Sequence, residues 1–335
     1  MKILRFILFP IVPVYYLVTL FRNKLYDLGI KQSMSYDFPV ICVGNLSTGG
    51  TGKTPMIEYL IRLLKDDYQI ATLSRGYKRT SQGFQIGEEN STVNILGDEP
   101  FQFYSKFKNE IQVAVDANRH AGITALRALN HAPEIILLDD AFQHRRVKAG
   151  FNILLTTYAN PYFKDMVLPT GNLREPRHGA KRAQIIIVTK CPNGLTETDK
   201  KRYVHKINPE PHQAVFFSSI GYSEQLFSAE NTMSIEALTD FTLVTGIANP
   251  MPLIDFLKSK RLVFEHLNFK DHHHFTFDDI ATLEKKTCIV ATEKDFMRLK
   301  QYDALRDKLF YLPIRVAIDD SKKFNALIKQ FVSEV

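Results

Sequence analysis

An α/β fold in two parts is what this sequence predicts, on three observations. From residue 38 onward, short apolar runs alternate with stretches of helical periodicity, the pattern of a parallel sheet covered by helices. The first of these runs, PVICV, empties into a glycine-rich turn ending Gly52-Lys53-Thr54 with a helix behind it, the order of a P-loop. The alternation then fades through polar residues 221–236 and restarts as a shorter α/β pattern. The expected class is therefore α/β: a P-loop-containing nucleotide triphosphate hydrolase-like parallel sheet domain with a second, smaller α/β domain. A length of 335 residues suits that division, at about 150 residues per domain.

The elements follow in chain order. Residues 6 to 21 are apolar and uncharged, flanked by Lys2 and Arg5 before and Arg22 and Lys24 after. As a helix they would span about 24 Å, short of a roughly 30 Å hydrocarbon core, and Pro10 and Pro13 would kink them. No small-residue cleavage site follows, so three readings stand: a helix packed on the main domain, one lying in a membrane interface, or a full span, which the short length disfavours. The strand candidates of the larger domain are Pro39–Val43, Ile70–Leu73, Ile111–Val115, Ile135–Leu138, Ile153–Thr156, Ile185–Val188 and His212–Ser219. Thr54–Lys65 and Asn118–Leu129 have helical spacing, and Pro161–Pro176, with three prolines, reads as a long functional loop. Beyond the polar stretch come strand candidates Phe241–Thr245, Leu262–Phe264, Cys288–Ala291 and Phe310–Val316. Helices are expected near 252–260 and 278–286, and over Ser321–Val335 with Phe324, Leu327, Ile328 and Phe331 on one face. The expected divisions are residues 1–24, 25–225 and 226–335.

Composition removes several classes. Three isolated cysteines, Cys42, Cys191 and Cys288, make neither a disulfide scaffold nor a cysteine zinc site. Forty-three basic against 36 acidic residues leave a charge of +7, which favours anionic partners. With no tryptophan, little basic-aromatic interleaving and no nucleic-acid motif, nucleic acid is not expected among them.

The chemistry begins at the glycine-rich turn. Backbone N–H groups of Ser47, Thr48, Gly49, Gly50, Thr51 and Gly52 can turn inward around phosphate oxygens at a helix N-terminus. Lys53 would reach the β- and γ-phosphates of a nucleotide, and the Thr54 hydroxyl would ligate Mg²⁺. Ser47 stands where the strict motif has its first glycine. A second metal ligand should end a buried strand, and IILL followed by Asp139-Asp140 supplies two carboxylates there. A guanine-specific protein would show [NT]-K-x-D; Thr189-Lys190-Cys191-Pro192 starts like it but ends in proline, so a GTPase is disfavoured. Arginines beside a transferring phosphoryl group spread its charge or hold a phosphate bidentately. His144 with its neighbouring arginines, and Arg174 in the long loop, are candidates for substrate contact, with solvated surface charge as the alternative. Arg75 and Tyr77 follow the second strand and are placed near the substrate as well.

These residues resemble one family, the tetraacyldisaccharide 4′-kinases of lipid A synthesis. The matching segments are VGNLSTGGTGKTP (43–55), LSRGY (73–77), GDEP (97–100), LLDDAFQHR (137–145), LPTGNLREP (168–176), DHHHFT (271–276) and TEKD (292–295), in the family's order. The resemblance implies transfer of the ATP γ-phosphate, with Mg²⁺, to the 4′-hydroxyl of a lipid disaccharide 1-phosphate at the cytoplasmic face of the inner membrane. It also implies two lobes joined by a β-hairpin linker, and a peripheral membrane contact through the N-terminal helix on an anionic surface. Asp98 takes the position of the family's catalytic base, and Glu99 that of a second acidic residue near the substrate. Read from the residues alone, Gly97-Asp98-Glu99-Pro100 is a helix start with Asp98 as N-cap. The resemblance pairs His272 with Asp98, with His273 as the alternative register. A different class, a P-loop ATPase acting as a metallochaperone or assembly switch, would expect clustered metal ligands, and only the run His272-His273-His274 answers to it.

Overall fold

The computed structural model describes residues 5, 7–192, 194–271 and 273–335. The chain divides into two compact units, residues 1–220 with 316–335, and residues 221–315. It passes between them inside two strands that are sheet neighbours, Ala214–Tyr222 and Ile314–Ile318.

In the larger unit the strands are β1 (Val40–Asn45), β2 (Ile70–Ser74), β3 (Gln85–Ile86), β4 (Gln112–Val115), β5 (Ile135–Asp139), β6 (Phe151–Thr157), β7 (Ile185–Thr189) and β8 (Ala214–Tyr222). With β15 (Ile314–Ile318) they order as β15-β8-β7-β6-β1-β5-β2-β4-β3, parallel from β8 to β4. Strand side chains alternate between faces, so each strand feeds two cores. Val40 and Cys42 with Ile136 and Leu138 pack on one face, and Ile41 and Val43 with Ile135 and Leu137 on the other. The near-continuous apolar runs are what strands covered on both faces require.

The second face is closed by the helix Lys53–Leu64, through Met56, Ile57, Leu60, Ile61 and Leu64, and by the C-terminal helix Ser321–Glu334, through Phe324, Ile328 and Val332. That helix was expected with the smaller domain. It instead returns to the larger unit, because Phe324 is fully buried against Phe216 and Tyr59 there. The run Phe310–Val316 is likewise not one strand. It breaks at Leu312-Pro313 into β14 (Leu309–Tyr311) and β15, and Pro313 has no N–H to continue a ladder.

The smaller unit holds a six-stranded sheet, β10-β9-β14-β13-β11-β12, where β9 is Gln225–Phe227, β10 Thr232–Ser234, β11 Phe241–Thr245, β12 Phe264–Asn268 and β13 Ile289–Ala291. β11 pairs in parallel with β12 and β13, and β13 with β14. The antiparallel pair β9–β10 lies within the polar stretch that carried no strand signal. Both units are thus α/β, as the alternation predicted.

Candidate functional site

β1 is buried along its whole length and delivers the chain into residues 46–52, ahead of the helix Lys53–Leu64. Gly49 (φ 113°) and Gly52 (φ 92°) lie in left-handed backbone, where a side chain would be strained, yet a Cβ at either would meet nothing within 4 Å. Conformation demands these glycines, and the space beside them is open, as a loop that wraps phosphates needs. Gly52 caps the helix without a side-chain bond. The loop is held from both sides. Thr48 N–H donates to Asn172 O and Arg174 N–H to Leu46 O, each at 2.7 Å, while Ser47 bridges to Leu173, a backbone role that needs no glycine. Opposite, Thr189 Oγ1 donates to Thr51 O and Lys190 Nζ to Gly50 O, both at 2.7 Å.

Carboxylates gather at the foot of this loop. Register pairs Val43 of β1 with Asp139 at the end of β5. Asp139 is buried; its Oδ2 accepts from Ser74 Oγ at 3.4 Å and its Oδ1 has no hydrogen-bond partner. Lys53 Nζ stands 3.8 Å from Asp140 Oδ1. Thr54 Oγ1 donates to Glu99 Oε1 at 3.3 Å, so Glu99 touches the phosphate loop itself. Burial, and behind it the Glu99 charge, push the Asp139 carboxyl up to about 7 against the pull of Lys53. Burial also works against ionisation of Asp140, but the Arg174 bond and the Lys53 charge outweigh it and hold that carboxyl below its ordinary value.

The substrate candidates separate. Arg174 donates to both Asp140 oxygens (2.7 and 3.1 Å) and to Asn45 Oδ1, so its guanidinium is engaged with a predicted metal ligand. His144 is half-buried, and burial together with the Arg119 and Arg146 charges lowers its pKa to about 4, so it is a neutral imidazole near pH 7. Arg75 and Tyr77 are exposed beyond β2. Asp98 is exposed too, and it is the first residue of the helix Asp98–Phe107, not its cap: Gly97 (φ 90°) holds the cap position. His272 lies outside the described residues. His273 is held by Asp279, Nε2 to Oδ2 at 2.9 Å, with its ring stacked on Phe269.

Arg119 was not expected. Its guanidinium is buried behind the aspartates, donating from Nη2 to Asp139 O at 3.3 Å and from Nη1 to Asp116 O at 3.0 Å. Nothing in its sequence context, the first turn of a helix capped by Asn118, signals that placement.

The N-terminal helix Val12–Asp27 buries none of its residues, although Val12 and Tyr15 pack partly against the core. Its polar groups face the domain: Tyr15 Oη donates to Arg174 O at 2.9 Å, Asn23 Nδ2 to Glu175 Oε2 at 2.7 Å and Arg22 Nη2 to Gln143 O at 3.0 Å. Leu17, Val18 and Phe21 are exposed by 60% or more. Pro10 and Pro13 sit in a 3₁₀ turn and in the helix's first turn, where a missing N–H costs little, so they start the helix instead of kinking it. Among the described residues no helix is long and apolar enough to cross a membrane.

The donors fit a hard divalent ion. Among the described residues no three His, Cys, Asp or Glu side chains form a metal nest by themselves. Mg²⁺, however, takes one or two carboxylates and completes its shell with water and nucleotide phosphates. The unpartnered buried oxygen of Asp139, with Thr54 and Glu99 beside the loop, suits that mode.

A glycine-rich phosphate loop, a lysine in its helix and a buried aspartate at the end of an adjacent parallel strand define a P-loop nucleotide-binding protein. The Tetraacyldisaccharide-1-P 4′-kinase family profile matches residues 4–333. The chain is 50% identical over 340 residues to a tetraacyldisaccharide 4′-kinase of Flavobacterium johnsoniae, covering 100% of this chain and 99% of that one. It is 43% identical to that of Bacteroides thetaiotaomicron, covering 98% and 93%. Its fold matches the crystal structure of LpxK from Aquifex aeolicus in complex with ATP, with a TM-score of 0.78 and 30% identity over 98% of this chain and 99% of that one. The chain belongs to the tetraacyldisaccharide-1-P 4′-kinase family.

Proposed function

We propose that this protein transfers the γ-phosphate of ATP to the 4′-hydroxyl of a tetraacylated disaccharide 1-phosphate, working from the cytoplasmic face of the inner membrane. The observation that carries the reading is the meeting of Lys53, Thr54, Glu99, Asp139 and Asp140 at an open phosphate loop. Phosphoryl transfer needs little covalent help from the protein; it needs positioning and charge compensation. Loop N–H groups and Lys53 would hold the β- and γ-phosphates. Thr54, Glu99 and Asp139 would hold Mg²⁺, which would supply positive charge to offset that of the phosphates. Asp140 would be steered by Arg174 and Lys53 rather than left free. Asp98, exposed at the start of its helix, is free to accept the proton of an incoming hydroxyl. Arg75, Tyr77 and His144 would line the acceptor side, His144 as a neutral hydrogen-bonding group.

The membrane part rests on the N-terminal helix. It attaches to the domain through hydrogen bonds and turns Leu17, Val18 and Phe21 outward, the reverse of a helix packed on a core. The reading as a metallochaperone or assembly switch is not favoured, given the family match along the whole chain.

The test is incubation of the purified chain with ATP, Mg²⁺ and the lipid disaccharide 1-phosphate in anionic vesicles. Labelled phosphate should appear on the lipid, and deleting residues 1–24 should abolish vesicle binding while ATP binding persists. Phosphate reaching only water or the protein would defeat the kinase reading.

A further inference from the structure

One charged group of the larger unit is buried away from the phosphate site, between the helix Lys53–Leu64 and the helix Asp98–Phe107. Glu58 is 4% exposed, and three groups face its carboxylate. Lys106 Nζ donates to Oε2 at 2.6 Å, Gln102 Nε2 donates to Oε1 at 3.3 Å, and Arg62 Nη2 stands 3.6 Å from Oε2. The Lys106 side chain is itself only 9% exposed. The two helices already share an apolar core, Met56, Ile57, Leu60 and Ile61 from the first and Phe103 and Phe107 from the second. A buried ion pair adds little stability over an apolar pair of similar volume, so holding the helices together does not account for it. Its spacing accounts for more. Thr54 and Glu58 are four residues apart on one face of the first helix, and Glu99, Gln102 and Lys106 share one face of the second. The faces meet as a ladder: Thr54 Oγ1 on Glu99 Oε1 at 3.3 Å, then Gln102 and Lys106 on Glu58. The first rung lies in the phosphate site, and Glu58 follows about 6 Å further along the helix axis.

We propose that Glu58, clamped by Lys106 and Gln102, is a positioning residue for the transfer reaction. It sets the register of the helix that presents Asp98 and Glu99 against the helix that carries Lys53 and Thr54. The proposal rests on the reading that Asp98 accepts the hydroxyl proton beside a nucleotide in the phosphate loop. Apolar side chains allow two helices to slide by a fraction of an ångström, whereas a carboxylate bonded at both oxygens fixes spacing and register together. Glu58 is buried a turn beyond Thr54, so it acts through the two helices and not on the reacting atoms. The phosphate loop has separate anchors in Asn172, Thr189 and Lys190. Loss of the clamp therefore leaves ATP binding in place and displaces the acids.

The experiment measures kcat and KM for ATP with the full chain, Mg²⁺ and the lipid disaccharide 1-phosphate, and a melting curve for each variant. Glu58→Met combined with Lys106→Met removes both charges and orphans neither, so Tm should stay within about 4 °C of the unsubstituted chain. KM for ATP should stay within about twofold. Turnover should fall about tenfold or more, since an error of about 1 Å in placing a reacting group costs up to about a hundredfold. A pair that served only stability would give the opposite result, full turnover wherever the fold is kept. A folded double variant with kcat within about twofold of the unsubstituted chain would therefore overturn the proposal. A loss carried by KM for ATP instead would put the clamp's effect on the phosphate loop, and would overturn it too. Should the double variant fail to fold, Glu58→Gln keeps the side-chain shape and weakens the bond from Lys106. It should lower kcat with KM for ATP unmoved, and an unchanged kcat there would equally defeat the proposal. Absence of any transfer in the unsubstituted chain would strike the kinase reading, and full turnover in Asp98→Ala the base assignment, results distinct from these.

Discussion

Lys53→Met removes one charge and keeps most of the side-chain stem. The ammonium it deletes is 3.8 Å from Asp140, with the lysine side chain 13% exposed. At an effective dielectric near 20 such a pair interacts by about 4 kcal/mol before the cost of desolvation. The net ground-state effect is smaller, because the Asp140 side chain is 36% exposed and Arg174 also holds it. The transition state is different. Charge spreads over the γ-phosphoryl oxygens above a site that already carries Glu99, Asp139 and Asp140, and the neighbouring cations are engaged elsewhere, Lys190 on Gly50 O and Arg174 on Asp140. Loss of a preorganised partner for developing charge costs roughly 3–4 kcal/mol, a drop of about a hundred- to a thousandfold in turnover. Initial rates of labelled phosphate transfer to the lipid at saturating ATP would measure it, with a melting curve to establish that the variant is folded. A folded variant that keeps more than about a tenth of the turnover would mean that Lys53 does not face the transferring phosphate.

Asp98→Ala should lower turnover about a hundredfold or more while moving Tm by only a few degrees, because Gly97 caps that helix and an exposed first-turn acid contributes about 0.3–1 kcal/mol; preserved turnover would remove Asp98 as the base. His144 titrates near 4 in the folded chain against an ordinary 6.5, so the unfolded chain binds the extra proton first and stability falls as pH drops from about 6.5 toward 4. His144→Asn should therefore flatten the decline of Tm over that window, and an identical slope in both proteins would refute the assignment. Phe324→Ala, at a fully buried site, should cost about 3–5 kcal/mol and lower the melting transition that ATP raises; a shift confined to an ATP-insensitive transition would place the C-terminal helix elsewhere.

The central strands of the larger unit could be read because their burial is complete, whereas the two-residue β3, half-buried at the sheet edge, carried no signal. Ile135–Asp139 and Ile185–Thr189 are covered on both faces, so the sequence shows unbroken apolar runs that end where the chain leaves the sheet. The two aspartates were visible at such an exit for the same reason. The C-terminal helix was correctly read as amphipathic, but an apolar face does not name its partner. Only packing, here Phe324 against Phe216 and Tyr59, assigns it to the first sheet rather than the second. β9 and β10 were missed because three-residue strands are too short to show a period: β9 fully buries only Leu226, and Met233 alone of Thr232–Ser234 is half-buried.

The site was readable where chemistry is local and opaque where partners are distant in the chain. Gly52-Lys53-Thr54 announces itself within three residues, whereas Thr54 meets Glu99 across 45 residues and Arg174 meets Asp140 across 34. Hydropathy also could not choose between a packed and an interfacial N-terminal helix, since both need apolar residues. What supports the interfacial reading is where the helix spends its polar groups. Tyr15, Arg22 and Asn23 bond to Arg174 O, Gln143 O and Glu175, all within or beside the loops that surround the phosphate site. Leu17, Val18 and Phe21 are left in solvent, an arrangement that is costly in water and favourable at a bilayer. The same hydrogen bonds fix the apolar face relative to Arg174 and Asp140. A bilayer that takes up this face would therefore meet the catalytic loops in a set orientation, which an acceptor hydroxyl at the headgroup level requires.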